Sequence, residues 1–522
     1  MLDANNLPDG QRLTTGLCIV GAGAAGIALA LELVGSGIEV LLIEAGGIER
    51  PKPPAEAPMT DPDTTTDDGP DGWHAFGGHC GRRPARCRVF PAQELAARPF
   101  LPDSGWPLSA EDLAPAYDRA RTLCEPAIPP PPGSPPTQPL IDGLCADDFD
   151  CREQDRYAAA EDFGSRHGAR LAAAGNLTVM AHATVTALRL NGSGTAVTTL
   201  EVRTGAGRRI RVQARTVVLA AGALETTRLL LASRDAQGTA IGNARGNVGR
   251  YVLAALRGTI GTVTLARPLQ IPWHGPPNRR ISRRALALTP AAQERHLLPA
   301  FALRLRPLTA DDVLTRTLSR FRPDALARAP LRIDWQCEQV PTAAGRIVAA
   351  GGEADPAGPL PVQVDWRAGA ADFNAVRRAL DLFDETLRRT GAGRFDHDPG
   401  ALAATLMPSA PPIEHLVGGA RMGDDPRHSV TDAQGRVHGI DNLYVTGTAV
   451  FPTSGLDNPL LTVVALGLRL ADHLKSLDAR PSAAVVSLHH HLAARRTGAS
   501  ADPLSEPRPW RESPASDAGD AD

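Results

Sequence analysis

The sequence predicts an α/β fold joined to an α+β lobe, and three observations carry that reading. A glycine-rich turn lies between two short apolar runs near the start, the pattern of strand, turn, helix and strand. Residues 214–233 repeat strand, small-residue turn and helix. From 251 to 414 the chain offers a succession of strand-like runs with little helix between them, the mark of an antiparallel sheet.

In the first unit Leu17-Cys18-Ile19-Val20 ends on Gly21-Ala22-Gly23-Ala24-Ala25-Gly26. Ile27 to Val34 follows with helical spacing, Gly37 breaks it, and Ile38 to Ile43 ends on the acid Glu44. This is the dinucleotide-binding arrangement. Gly21 makes the tight turn, Gly23 admits a pyrophosphate to the backbone, and Gly26 lets helix and strand pack closely. Glu44 is expected to accept hydrogen bonds from the adenosine ribose. The unit alone does not separate FAD from NAD.

Asn176 to Leu190 and Val197 to Val202 read as strands. The 214–233 stretch places Ala221 in an Ala-Ala-Gly turn before a helix. In the middle region the strand-like runs are Gly258 to Leu265, Ala300 to Leu305, Leu331 to Gln336, Arg346 to Ala349 and Val362 to Trp366, followed by a helical Phe373 to Arg388. Pro129 to Pro139 cannot form a helix and reads as an extended connection. Thr60 to Gly72 reads as a loop, and from about Asp478 hydrophobic periodicity gives way to the composition of a disordered tail.

The densest signal lies near the C-terminus. His415-Leu416-Val417-Gly418-Gly419-Ala420-Arg421-Met422-Gly423 leads through Val437 to Val445 and on to Phe451-Pro452-Thr453. It closes with Asn458-Pro459-Leu460-Leu461-Thr462 and an apolar helical run to about Leu474. This text closely resembles the C-terminal block of the glucose–methanol–choline (GMC) family of FAD-dependent oxidoreductases. Its bacterial branch of sugar and alcohol oxidases and dehydrogenases is the most similar. Ser104-Gly105-Trp106-Pro107-Leu108-Ser109 and Leu113 to Tyr117 resemble bacterial members as well.

The resemblance implies FAD as cofactor and oxidation of a CH–OH group, with hydride passing to flavin N5 and the proton to His415. Asn458 would orient the hydroxyl. Besides the residues already named, it implies flavin contacts at Gly77, Gly78, Gly447, Asn458, Pro459 and Leu460, and an adenine contact through the backbone of Val185. The chemistry suits the residue types. Neutral imidazole, with an ordinary pKa of about 6.5, accepts a proton near neutrality, and an amide offers both donor and acceptor without titrating. Pro459 suits the first position of a helix, whose positive end would favour a reduced flavin. Arg421 and Gly423 are expected to serve shape, and His428, His438 and His473 to be structural or surface residues.

One loop departs from the family. After Phe76-Gly77-Gly78 the chain reads His79-Cys80-Gly81-Arg82-Arg83-Pro84-Ala85-Arg86-Cys87. Some relatives attach FAD through a His four residues after the glycine pair, and Arg82 stands there, so non-covalent FAD is expected. His74, His79, Cys80 and Cys87 have the right chemistry for zinc but no common ligand spacing, and arginines beside them would repel a divalent ion. No metal is expected.

At 522 residues with a formal net charge of −3, nothing draws the chain to nucleic acid or to an anionic membrane. No apolar run reaches the roughly 18 residues of a membrane span and no signal peptide is visible, so a cytoplasmic location is expected. Seven cysteines in so large a chain read as reduced thiols. Two lysines against abundant arginine, alanine, glycine and proline suggest a GC-rich bacterial genome.

Because the two cofactor blocks lie far apart in sequence, the Rossmann-like FAD domain is expected to be discontinuous. Its first part is 14–250, with insertions at 50–150, and its second 415–476. A substrate domain on an antiparallel sheet occupies 251–414, and 477–522 is a tail. The substrate would be a sugar, polyol or other secondary alcohol, reoxidised by oxygen, a quinone or a redox protein. The alternatives are a lyase or cyclase on the same scaffold, using His415 for proton transfer alone, and a non-catalytic binding protein.

Overall fold

A computed structural model of the chain describes residues 1–48, 74–78, 86–124, 140–141, 144, 147–150, 154–157, 163–267, 273–274, 282–307, 330–350, 358–398, 400–406, 416–456 and 459–478. Among these, one eight-stranded and one six-stranded sheet dominate.

The larger sheet is mostly parallel. Its parallel strands lie in the order Leu2–Asp3, Leu177–Ala181, Val40–Ile43, Arg12–Val20, Arg209–Leu219 and Leu443–Val445. Val40–Ile43 is buried along its whole length, as a strand covered on both faces must be. Val197–Thr204 and Ala183–Leu190 continue the sheet as an antiparallel pair, joined to the first half of Arg209–Leu219. The second half of that strand pairs with Leu443–Val445. Residues over two hundred positions apart thus share one sheet.

Helices Ala24–Glu32 and Leu460–Asp478 pack beside this sheet in a single apolar core that draws on residues 4–253 and 417–474. Gly467 permits the close crossing: a Cβ there would stand 2.9 Å from the Ala25 carbonyl oxygen. Pro459 sits one position earlier than expected. Its carbonyl accepts the first helical bond, from Val463 N–H at 2.8 Å, which makes it the cap and Leu460 the first helical residue.

The smaller sheet is antiparallel throughout, in the order Gly393–Asp396, Leu256–Leu265, Leu331–Cys337, Phe301–Pro307, Leu286–Leu288 and Phe149–Asp150. Helix Ala370–Thr390 covers one face, burying Val376, Leu380, Phe383 and Leu387 against Trp335, Phe301 and Leu303. Two expected members are absent from it. Arg346–Ala349 and Val362–Asp365 pair with each other instead, and Ile347 N–H bonds the Gly249 carbonyl, which ties that hairpin to the other lobe. The second core also takes in Leu140, Ile141 and Phe149, upstream of the 251–414 stretch.

The Pro129–Pro139 stretch, the Thr60–Gly72 loop and the tail after Asp478 lie outside the described residues. No helix among the described residues is long and apolar enough to cross a membrane.

Candidate active site

The site begins with strand register. Ile43, Val20, Leu219 and Val445 lie side by side on four adjacent parallel strands. The next residues of each strand therefore emerge together: Glu44, Gly21, Ala220-Ala221 and Thr446-Gly447. Open α/β sheets bind ligands at this carboxyl edge.

The glycine turn is shaped by what surrounds it. A Cβ on Gly21 would stand 2.8 Å from the Ala220 carbonyl oxygen, and one on Gly26 would overlap the Gly21 carbonyl. Gly77 N–H donates to the Ala22 carbonyl at 2.9 Å, and Phe76 N–H to Gly47 at 3.0 Å. This lays the glycine pair over the first turn so tightly that a Cβ on Gly78 would stand 2.9 Å from the Gly23 Cα. Gly78 has φ +58, and Gly447, at φ +85, rests against Ala25.

Three helix starts face this edge without a side-chain cap. Gly23 precedes helix Ala24–Glu32, Ala221 precedes Gly222–Ala232, and Gly447 precedes the short 3₁₀ turn Thr448–Val450. Uncapped N–H groups at the first two favour an anion. The buried Thr446 hydroxyl has no hydrogen-bond partner among the described residues. Glycine approach, uncapped N–H groups and an orphan hydroxyl all suit a dinucleotide pyrophosphate. Thr446 carries no signal in the sequence, where a lone threonine after a strand is unremarked.

Glu44 is 6% exposed, and its carboxylate accepts from Ala22 N–H at 3.0 Å and Gly46 N–H at 2.9 Å. Each oxygen keeps acceptor capacity for a further donor. Glu44 also receives Ala183 N–H on its own carbonyl, at 2.9 Å. Val185 lies two residues on, where a bulge between Val185 and Ala187 breaks the ladder with Val197–Thr204. The structure thus brings Gly21, Gly23, Ala24, Ala25, Gly26, Glu44, Gly77, Gly78, Ala221 and Gly447 to one edge, with Val185 beside Glu44.

His415 and Asn458 lie outside the described residues, but both are flanked by anchored chain. After His415, Val417 exchanges both backbone hydrogen bonds with Leu253, at 2.9 and 3.0 Å. Gly418, Ala420 and Met422 then donate to Thr448, Ala449 and Val450, which follow Gly447 directly.

The expected 104–109 and 113–117 motifs explain themselves here. Trp106 Nε1 donates to Thr453 Oγ1 at 2.9 Å, and Trp106, Phe90 and Phe451 meet edge to face. The Tyr117 hydroxyl is 2.9 Å from that of Thr462. Both motifs clamp the C-terminal block.

Arg421 is buried, donates to the Asp103 carbonyl and stacks over Tyr251. Burial pulls its pKa below the usual arginine value. His438 contacts the Ser429 hydroxyl at 2.9 Å, and burial lowers the pKa of His473, which sits edge-on to Tyr444. Among the described residues no group of three His, Cys, Asp and Glu side chains could hold a metal; His79, Cys80 and Arg82 lie outside them.

Residues 341–467 match the family model for GMC oxidoreductase. Paromamine 6'-oxidase of Streptomyces fradiae is 29% identical over 520 positions, spanning 87% of this chain and 90% of that protein. 2-Methyl-1,2-propanediol dehydrogenase of Mycolicibacterium austroafricanum is 24% identical over 422 positions, spanning 71% and 74%. The crystal structure of a formate oxidase shares the fold, with a TM-score of 0.55 at 16% identity over 91% of this chain and 100% of that one. The chain is therefore an oxidoreductase acting on CH–OH donors. Its C-terminal block is similar to the GMC oxidoreductases, and most of its length is similar to an oxidase and a dehydrogenase.

Proposed function

We propose that the chain oxidises the CH–OH group of a sugar, polyol or other secondary alcohol to a carbonyl, with FAD bound non-covalently. Gly21 to Gly26, Gly77, Gly78, Ala221, Gly447 and the Thr446 hydroxyl would hold the pyrophosphate side of the cofactor, and Glu44 its adenosine ribose. Val185, Pro459 and Leu460 complete the proposed contacts. When bound, the flavin supplies the hydride acceptor at N5.

His415 takes the hydroxyl proton, and the Asn458 amide holds the same hydroxyl in line. Burial of the reacting group under the antiparallel sheet would exclude water, which makes a positioned imidazole worth about 10²–10⁴ in rate. Residues 14–250 and 415–476 form the cofactor domain in this reading, and 251–414 the substrate domain. The single observation that supports it best is the alignment of four strand ends, since it gathers Glu44 and the turns that hold Gly21 to Gly26, Ala221 and Gly447 onto one edge. Arg82 at the attachment position supports non-covalent FAD. Relatives named for paromamine and for 2-methyl-1,2-propanediol support a hydroxylated small molecule as substrate.

Anaerobic mixing with a panel of sugars, polyols and simple alcohols tests the reading. At least one should bleach the flavin absorbance. A yellow protein that no alcohol bleaches, yet which transfers protons to a hydroxylated ligand, would overturn it in favour of a lyase or cyclase.

A further inference from the structure

The segment 74–78 crosses the cofactor edge and is fastened along its length. Ala75 bridges Gly47 in parallel, Phe76 N–H donates to the Gly47 carbonyl at 3.0 Å, and Gly77 N–H to that of Ala22 at 2.9 Å. Phe76 is buried against helix Phe163–Ala173, where a Cβ on Gly168 would stand 3.2 Å from its ring. These contacts hold the segment down onto the first glycine turn.

One further contact ties it sideways, to the helix that follows the second small-residue turn. Glu225 lies in the first turn of helix Gly222–Ala232, and each of its carboxylate oxygens has its own basic neighbour. Oε2 accepts from Arg228 Nη1 at 2.8 Å, and Oε1 stands 3.8 Å from His74 Nε2. Both His74 and Glu225 are partly exposed. Glu225 raises the His74 pKa above the ordinary imidazole value, and Glu44 adds to the rise, while burial and Arg228 oppose it.

The charges at this corner matter because a dinucleotide pyrophosphate is itself an anion. An uncapped helix start attracts it, but a bare carboxylate in the same first turn repels it. Among Glu44, Glu225, Arg228 and His74, only the imidazole changes charge near neutrality, so its proton decides whether the four carry a net negative charge or none. We propose that His74 is a proton-dependent clasp on the cofactor: as imidazolium it ties the segment over the glycine turn to helix Gly222–Ala232 and balances Glu225, and as neutral imidazole it lets FAD leave faster. This rests on the FAD pyrophosphate lying along the glycine-lined edge.

The test follows FAD leaving the diluted holoprotein, by the fluorescence of the freed flavin, from about pH 6 to about pH 9. A raised imidazole pKa means the clasp is closed at the acid end and opens as pH rises through that value. Wild-type release should therefore quicken about two- to fivefold across the range, the scale of a partly exposed ion pair. His74→Gln should release FAD at the fast rate throughout. His74→Arg keeps a permanent cation opposite Glu225 and should release it at the slow rate throughout. Glu225→Gln should flatten the profile as well, since no carboxylate remains to hold the imidazolium.

A wild-type release rate that does not change with pH would overturn the proposal. A rise that survives in His74→Gln or in Glu225→Gln would overturn it too, since the titrating group or its partner would then lie elsewhere. A protein that takes up no FAD at any pH would instead overturn the reading of the edge as a cofactor site.

Discussion

The guanidinium carbon of Arg421 lies 4.4 Å from the centre of the Tyr251 ring. The same side chain donates to the Asp103 carbonyl, more than three hundred residues away in sequence. Tyr251 and Asp103 hold φ values of +55 and +56, which non-glycine residues rarely adopt. Such strain costs about 1–3 kcal/mol per residue and persists only where the surroundings impose it. Arg421 joins both strained positions, which gives the R-M-G text a structural reason.

Arg421→Lys should therefore lower the thermal unfolding midpoint and leave flavin reduction in the folded fraction near wild type. Lysine keeps the charge but loses the planar stack and the fixed donor geometry. The expected loss is about 1–3 kcal/mol. A variant with unchanged melting but no turnover would place Arg421 in the chemistry instead.

Gly78→Ala should weaken cofactor retention. The new methyl would crowd Gly23 from a backbone conformation that alanine resists. The purified variant should show a lower ratio of flavin to protein absorbance, partly restored by added FAD. Full occupancy would mean that the glycine pair is not pressed against the first turn.

Glu338→Gln should be among the most damaging single changes outside the site. Arg98 and Glu338 are 3% and 0% exposed and share two bonds of 2.7 Å, linking the 98–106 segment to the antiparallel sheet. Burial alone would lower the Arg98 pKa, yet Glu338 raises it overall. Stranding that charge costs about 3–5 kcal/mol, whereas replacing both partners by methionine should recover much of the loss. Equal melting of wild type and Glu338→Gln would contradict the pairing.

Acid precipitation of the purified protein should release free FAD to the supernatant and leave a colourless pellet. Flavin absorbance retained by the pellet would show covalent attachment, at a residue other than Arg82.

Much of the fold was legible because its signals are local. The Leu17–Glu44 unit, the 214–233 repeat and the strand-like runs between Gly258 and Gln336 each announce their elements through short local patterns. What could not be read were relations between distant segments. Nothing around Arg346 says that it pairs with Val362–Asp365 rather than joining the main sheet. Phe149 likewise reads as part of a long insertion, and only the strand it finds puts it in the second core. At the site, glycines and acids stood out by type, while Thr446 and His74 acquire meaning only from their surroundings.

Removal of the hydroxyl proton by His415 as the alcohol is oxidised is tested most sharply by anaerobic flavin reduction in His415→Ala. The variant should bind FAD and fold normally, yet reduce its flavin about 10²–10⁴-fold more slowly. Wild-type reduction should also slow as pH falls through an imidazole pKa, ordinarily about 6.5, because the protonated ring cannot accept a proton; the variant should lack that limb. A His415→Ala protein that reduces its flavin at nearly the wild-type rate, with the same pH profile, would remove His415 from the chemistry.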